Sequence, residues 1–215
     1  MEQEKLLKAL SLGRCIICSL LGEKELNLLT MWVCEGEEEV QKQFYKKKRL
    51  CNYHFWKLEK RSTHDTMACV TKFLLEQFLS ELKDRDEQQI RAWIKDPNNV
   101  SDKNVCPICE RLSELERKYI ELLVTFMAEK ENTILYGKSR GLCVPHFFKV
   151  FSFSNDDHIR NLLLDIQKDH INTLLNELRE FNRKKGPSLR WERTSDEKIS
   201  YLRAIEKITG REGIR

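Results

Sequence analysis

Apolar positions recur at helical spacing through most of this 215-residue chain. Leu112, Leu115, Tyr119, Leu122, Leu123 and Phe126 follow an i, i+3, i+4 rhythm, which puts them on one side of a helix. The clearest stripe runs through Ile159, Leu162, Leu163, Ile166, Ile171, Leu174, Leu175, Leu178 and Phe181. Ser154-Asn155-Asp156-Asp157 precedes it and offers side-chain acceptors for the free N–H groups of a helix start. An earlier stripe takes Met67, Val70, Phe73, Leu74, Phe78 and Leu82, entered through Ser62 and Thr63. Near the C-terminus, Thr194-x2-Glu197 is a capping-box pattern, followed by Ile199, Leu202, Ile205 and Ile208 on one face and Gly210 at the end. Strand-like alternation never persists beyond a few residues. The pattern therefore predicts an all-α fold.

Two polar segments interrupt the helical rhythm. Residues 96–102 (Asp-Pro-Asn-Asn-Val-Ser-Asp) read as a connector, and Lys184-Lys185-Gly186-Pro187-Ser188 breaks the long stripe. These breaks predict a first module over residues 1–96, a second over 103–185, and a C-terminal extension over 186–215 that ends in a helix. Trp191, in the stretch before that helix, is expected to pack back on the bundle.

The candidate chemistry lies in a motif that occurs twice. Cys15-x2-Cys18 and Cys51-x2-His54 recur as Cys106-x2-Cys109 and Cys143-x2-His146, using six of the eight cysteines and two of the five histidines. Aligned on these ligands, Ile17 matches Ile108, Glu23 matches Glu114, Glu25 matches Glu116, Leu50 matches Leu142, Phe55 matches Phe147 and Lys57 matches Lys149. The pattern reads as an internal duplication of two related helical modules. Each C-x2-H should open a helix, over Cys51–Lys60 and Cys143–Phe151.

Each copy supplies three thiolates and one imidazole, the full shell of a tetrahedral structural zinc. Small domains commonly use such an ion to supplement a modest core. The expected cofactor is two structural zinc ions, one in each repeat, because the spacing between pairs is nearly equal in the two copies; pairing between repeats, one C-x2-C with the other C-x2-H, is the alternative connection. An iron–sulfur cluster and thiol redox chemistry through the C-x2-C pairs are the alternatives. Covalent haem is not expected, since Ser19 and Glu110 stand where that motif needs histidine. Cys34 and Cys69 have no counterparts and read as small packed side chains.

Composition changes this picture little. The formal net charge of +4 neither demands nor excludes a nucleic-acid partner. Two basic clusters offer phosphate contacts: Lys46, Lys47, Lys48 and Arg49, and the segment with Lys184, Lys185 and Arg190. A solvated surface is the competing reading of both. No nucleotide-binding loop, nucleophile elbow or zinc-protease motif is present, so no catalytic residue is expected. No apolar run is long enough to span a membrane, and no signal peptide is evident. Those features predict a soluble cytoplasmic protein, where thiols stay reduced.

The duplicated ligand motif occurs together with Glu180-Phe181-x-Arg183-Lys184 and an ending Leu202-Arg203-Ala204-Ile205-Glu206-Lys207-x2-Gly210. In these features the chain resembles an uncharacterised family of bacterial and archaeal proteins known only as a domain of unknown function. The resemblance spans nearly the whole chain. It implies a helical, metal-binding protein and carries over no catalytic residue. Together these readings predict a non-catalytic zinc protein that acts as an interaction or adaptor module with an unidentified protein partner. A nucleic-acid-binding zinc module and an iron–sulfur or thiol redox protein are the rival readings.

Overall fold

The computed structural model describes residues 2–34, 50–83, 85–95 and 106–213. The described residues form ten α-helices and one 3-10 turn, with no strand among them, so the fold is all-α as the periodicity predicts. In chain order the helices are α1 (Glu2–Ser11), α2 (Ile16–Cys34), α3 (Asn52–Glu59), α4 (His64–Lys83) and α5 (Glu87–Lys95). They continue as α6 (Pro107–Met127), α7 (Lys130–Lys138), α8 (Val144–Phe153), α9 (Asp157–Arg183) and α10 (Ser195–Thr209), with the 3-10 turn at Arg190–Glu192. The connector at 96–102 and the basic run Lys46, Lys47, Lys48 and Arg49 lie outside the described residues.

The chain gathers into two compact units. One comprises Met1–Gly22 with Leu115–Arg215, and the other comprises Glu23–Glu114. The boundaries expected at 1–96, 103–185 and 186–215 followed the order of motifs along the chain. The units instead cut through α2 and α6, each of which carries residues of both. The C-terminal extension is part of the first unit rather than an appendage.

In the unit 23–114, Leu29, Leu50, Leu58, Met67, Val70, Cys106 and Ile108 form a buried cluster, with Phe55, Phe73, Leu74 and Leu112 packed against it. Helix α4 buries only the first half of its stripe. Met67 and Val70 are inside, whereas Leu75, Phe78, Leu79 and Leu82 are exposed.

In the other unit, α6 buries Tyr119, Leu123 and Phe126, and α9 buries Ile159, Leu163 and Leu174 from its stripe. Asp156 caps α9 by accepting from the backbone N–H groups of His158 and Ile159.

Helix α10 inverts the expectation drawn from its pattern. Its capping box is formed: the Thr194 side chain accepts from Glu197 N, and the Glu197 side chain accepts from Thr194 N. Yet Ile199, Leu202, Ile205 and Ile208 are all exposed, while Glu197 and Ser200 are buried. The inward face is polar because it meets charges. Lys184, itself buried, donates to both carboxylate oxygens of Glu197 at 2.9 Å, and Arg203 donates to Glu177 at 2.5 Å. These contacts require partners of opposite charge in place, and they turn the apolar stripe outward. Trp191 also departs from expectation: it is 89% exposed. The aromatic that the preceding segment does pack is Phe181, whose ring lies under the Arg193 guanidinium at 3.9 Å.

Two variants separate the faces of α10. Thr194→Ala should cost about 1 kcal/mol of stability through the lost cap. Ile205→Gln should change stability by no more than about 0.5 kcal/mol, as for other exposed positions. Urea midpoints measure both, and a large loss at Ile205 would mean that the stripe is covered.

Candidate metal centres

All four ligand pairs use the same local device. Cys51 and Cys143 are the N-caps of α3 and α8, in extended backbone with ψ of 162°, and each histidine stands three residues on. The carbonyls of Cys51 and Cys143 accept the first helical bonds, from Phe55 N at 2.9 Å and Phe147 N at 2.8 Å. Cys15 and Cys106 likewise immediately precede α2 and α6, and their carbonyls accept from Ser19 N at 3.0 Å and Glu110 N at 2.9 Å. A side chain at the cap and another three residues later lie on the same side of the first turn. Each pair is thus aimed at one point, and the positive end of its helix dipole favours thiolate there. Pro107 and Pro145 fit because the first turn of a helix needs no N–H from them.

The pairs meet crosswise. Cys15, Cys18, Cys143 and His146 form one group, and Cys51, His54, Cys106 and Cys109 form the other. Within each group the four ligand atoms all lie within 4.8 Å of one another. The expected pairing within each repeat is therefore corrected. Each C-x2-C joins the C-x2-H of the other repeat, and each group then falls inside a single compact unit. Each of the eight expected ligands belongs to one of the two groups.

The edges of the two groups match a tetrahedron around a single ion. In the first, Cys18 Sγ and Cys143 Sγ are 3.8 Å apart, and the sulfurs of Cys15, Cys18 and Cys143 lie 3.5, 3.3 and 3.0 Å from His146 Nδ1. In the second, Cys51 Sγ and Cys109 Sγ are 3.7 Å apart, and the sulfurs of Cys51, Cys106 and Cys109 lie 3.2, 3.4 and 3.3 Å from His54 Nδ1. Metal–sulfur bonds of about 2.3 Å and metal–nitrogen bonds of about 2.0 Å give edges of roughly 3.8 and 3.5 Å. The sulfur separations are far beyond the roughly 2.05 Å of a disulfide. Either group can hold a metal ion.

Two carboxylates complete the arrangement, and both come from the opposite C-x2-C helix. Glu116, on α6, faces His146 Nε2 at 2.9 Å and accepts from Lys149 Nζ at 2.6 Å. Glu25, on α2, lies 3.3 Å from His54 Nε2 and accepts from Lys57 Nζ at 2.6 Å. A carboxylate behind a ligating histidine fixes the ring and its tautomer, leaving Nδ1 to bind. Helix α2 thus gives Cys15 and Cys18 to one group and Glu25 to the other, while α6 gives Cys106 and Cys109 to one and Glu116 to the other. The sequence alignment already paired Glu25 with Glu116 and Lys57 with Lys149, but assigned them no role. The signal that could have found them is an acid two helical turns after each C-x2-C, together with a lysine three residues after each histidine.

Electrostatics explain why such a group needs a cation. Burial opposes charge on His54, but contacts with Cys106 and Glu25 outweigh it and raise the imidazole to about 10. His146 behaves alike: burial is outweighed by Cys143, Cys15 and Glu116, reaching about 11. Cys106 is lowered to about 6, because its bond with His54 overcomes burial. Cys109 is pushed up to about 12 by burial and by the charges of Cys106 and Cys51. Cys15 lies well below the usual thiol range because hydrogen bonds from Cys143, Cys18 and His146 outweigh burial, whereas Cys18 is driven far up by its bonds with Cys143 and Cys15. Thiolates this close repel one another, and a positive ion among them favours the charged form of all three. Burial also opposes the Glu25 and Glu116 carboxylates, but their histidine and lysine partners hold both below the ordinary range. Their stabilising contribution is complete above that range and is lost as pH falls through the lowered values.

The C-terminal ending covers the first group. Gly210 has φ of +86°, and a Cβ there would lie 3.6 Å from the sulfurs of both Cys143 and Cys18. Arg211 N–H donates to Cys18 Sγ at 3.5 Å. Lys207, three residues before Gly210, donates to the carbonyl of Arg140 at 3.1 Å. Burial lowers its ammonium to about 8, although the sulfurs of Cys15 and Cys143 pull the other way.

The second basic cluster does not act as one surface. Lys184 is buried against Glu197 and so does not face solvent. Lys185 and Arg190 are exposed, beside the exposed Trp191. Cys69 is half-buried on α4 and belongs to neither ligand group, whereas the side chain of Cys34 lies outside the described residues.

A family model described as a family of unknown function (DUF6062) matches residues 10–213. No curated protein and no solved structure matches the chain.

Paired cysteine variants read the crosswise connection directly. Cys15→Ser with Cys143→Ser should remove about one equivalent of metal, because both residues serve one ion. Cys15→Ser with Cys51→Ser should remove about two. Pairing within repeats would reverse that order, and elemental analysis of the purified variants decides between them. Glu116→Gln should weaken metal binding at the first group by roughly 10–100-fold, measured by chelator competition, with the second group unchanged.

Proposed function

We propose that this chain, which belongs to the DUF6062 family of unknown function, is a non-catalytic protein whose fold is held by two structural zinc ions and which serves as an interaction module for another protein. Three thiolates and one imidazole make a closed shell, with no position left for a substrate. Four ligand atoms within 4.8 Å suit a single ion better than a cluster of several irons with its bridging sulfides. Thiolate ligands of this kind persist where thiols are kept reduced, which fits a cytoplasmic setting. No helix among the described residues is long and apolar enough to cross a membrane.

The observation that carries the interaction reading is the outward apolar stripe of α10. Ile199, Leu202, Ile205 and Ile208 are 46–65% exposed on a helix whose other face is fixed by buried ion pairs. Apolar side chains arranged in a row on a rigid helix form a surface that a protein partner can cover. The half-stripe Leu75, Phe78, Leu79 and Leu82 on α4 gives the other unit a similar face.

A second reading rests on Trp191, 89% exposed between Arg190 and Glu192 at the end of the basic cluster. An exposed indole near the exposed cations Lys185 and Arg190 suits stacking on a single-stranded nucleic acid. The two readings part on salt: nucleic-acid affinity falls steeply as salt rises, whereas binding to the α10 face does not.

Metal analysis comes first, and zinc is expected at about two per chain. Leu202→Glu with Ile205→Glu should leave that content and the melting temperature unchanged while abolishing association with whatever protein co-purifies with the wild type. Iron with sulfide would reject the zinc reading. Identical co-purification with wild type and variant would reject the α10 face.

A further inference from the structure

Beside the first ligand group lies a pocket of about 210 Å³. Its wall comes from the α1–α2 turn, the segment after α7, the middle of α9 and the inward face of α10. Its lining sets Arg14, Lys138, Arg140, Arg203 and Lys207 against the carboxylate of Glu206 and the ligand sulfurs of Cys15 and Cys143.

Neighbouring carboxylates offset only part of that charge. Glu177 and Asp196 engage Arg203 at 2.5 and 3.6 Å, and Asp196 also meets Arg140 at 3.2 Å. Glu206 reaches Arg14 only at 4.0 Å. Lys138 and Lys207 meet no carboxylate among the described residues. Lys207 instead spends its donors on the Arg140 carbonyl and, at 3.4 Å, on Gln167. The negative groups that act on Lys207 are the sulfurs of Cys15 and Cys143, whose charge a bound metal ion would take up, so an anion in the pocket supplies a counter-charge of its own.

We propose that this pocket binds a small phosphate monoester, with its phosphate held by Lys207, Arg14 and Arg140. Guanidinium forks match phosphate oxygens two at a time, and an ammonium adds a point charge. The volume is below the roughly 300–1,000 Å³ typical of larger ligands, so a phosphate with a short body fits. Gly13 and Gly137 leave two parts of the wall without side chains, and a Cβ at Gly13 would meet nothing within 4 Å. His170 also lines the pocket; its Nε2 is 3.2 Å from the Gly137 carbonyl, and its Nδ1 is buried without a partner. The site is independent of the interaction reading, since the exposed stripe of α10 is on the helix's other side.

Calorimetric titration of the full, metal-loaded chain with inorganic phosphate tests the assignment. Saturable binding with Kd below about 1 mM is expected. Arg14→Ala removes a half-exposed side chain with only a loose partner, so it should keep metal content and melting temperature while weakening phosphate about fivefold. Lys207→Gln should weaken it tenfold or more, with metal content assayed in the same sample. Absence of saturable binding up to about 10 mM phosphate, or equal affinity in wild type and Arg14→Ala, overturns the proposal.

Discussion

Three sulfurs and an imidazole brought within a few ångströms set the terms for everything else in this molecule. Buried together they compete for protons, and one thiolate drives its neighbour toward the neutral thiol. A cation among them favours the anionic form of all three sulfurs. Four helix starts supply the geometry, because a cap residue and the residue three later share a side of the first turn. The apolar stripes then pack the helix bodies that these starts fix in place.

The crosswise connection makes the two closed loops nested rather than sequential. Residues 51–109 close on themselves through one group, inside the larger loop that Cys15 and His146 close through the other. Loop closure costs more as loops lengthen, but slowly, so the inner closure makes the outer one cheaper in entropy. Glu25 and Glu116 follow the same crosswise rule, because each C-x2-C helix supports the histidine it does not share an ion with.

Much of this was legible in the sequence. The 3.6-residue rhythm gave the helices, and the capping box at Thr194 and the acidic start at Asp156 gave two of their beginnings. Ligand spacing identified all eight members of the two groups. Pairing was not legible, because the spacing is nearly the same in both copies and a pair aimed at an ion carries no mark of its partner. Periodicity likewise shows that α10 has an apolar face without showing that it faces out. What decides is the inward side, where Glu197 and Arg203 meet Lys184 and Glu177, contacts far apart along the chain. Trp191 was misplaced for the same reason: Phe181 and Arg193 fill the role assigned to it.

The cover that Gly210 and Arg211 place over the first group has a consequence for how the chain leaves the ribosome. Every ligand of the inner group has been synthesised once Cys109 is added, whereas the glycine lying against Cys18 and Cys143 follows about a hundred residues later. At roughly 5–20 residues per second, that interval is on the order of 5–20 s. The inner group can take its ion while translation continues. The outer one stands open until the last helix arrives, and its sulfurs are meanwhile exposed to other metals and oxidants in the nascent chain's surroundings.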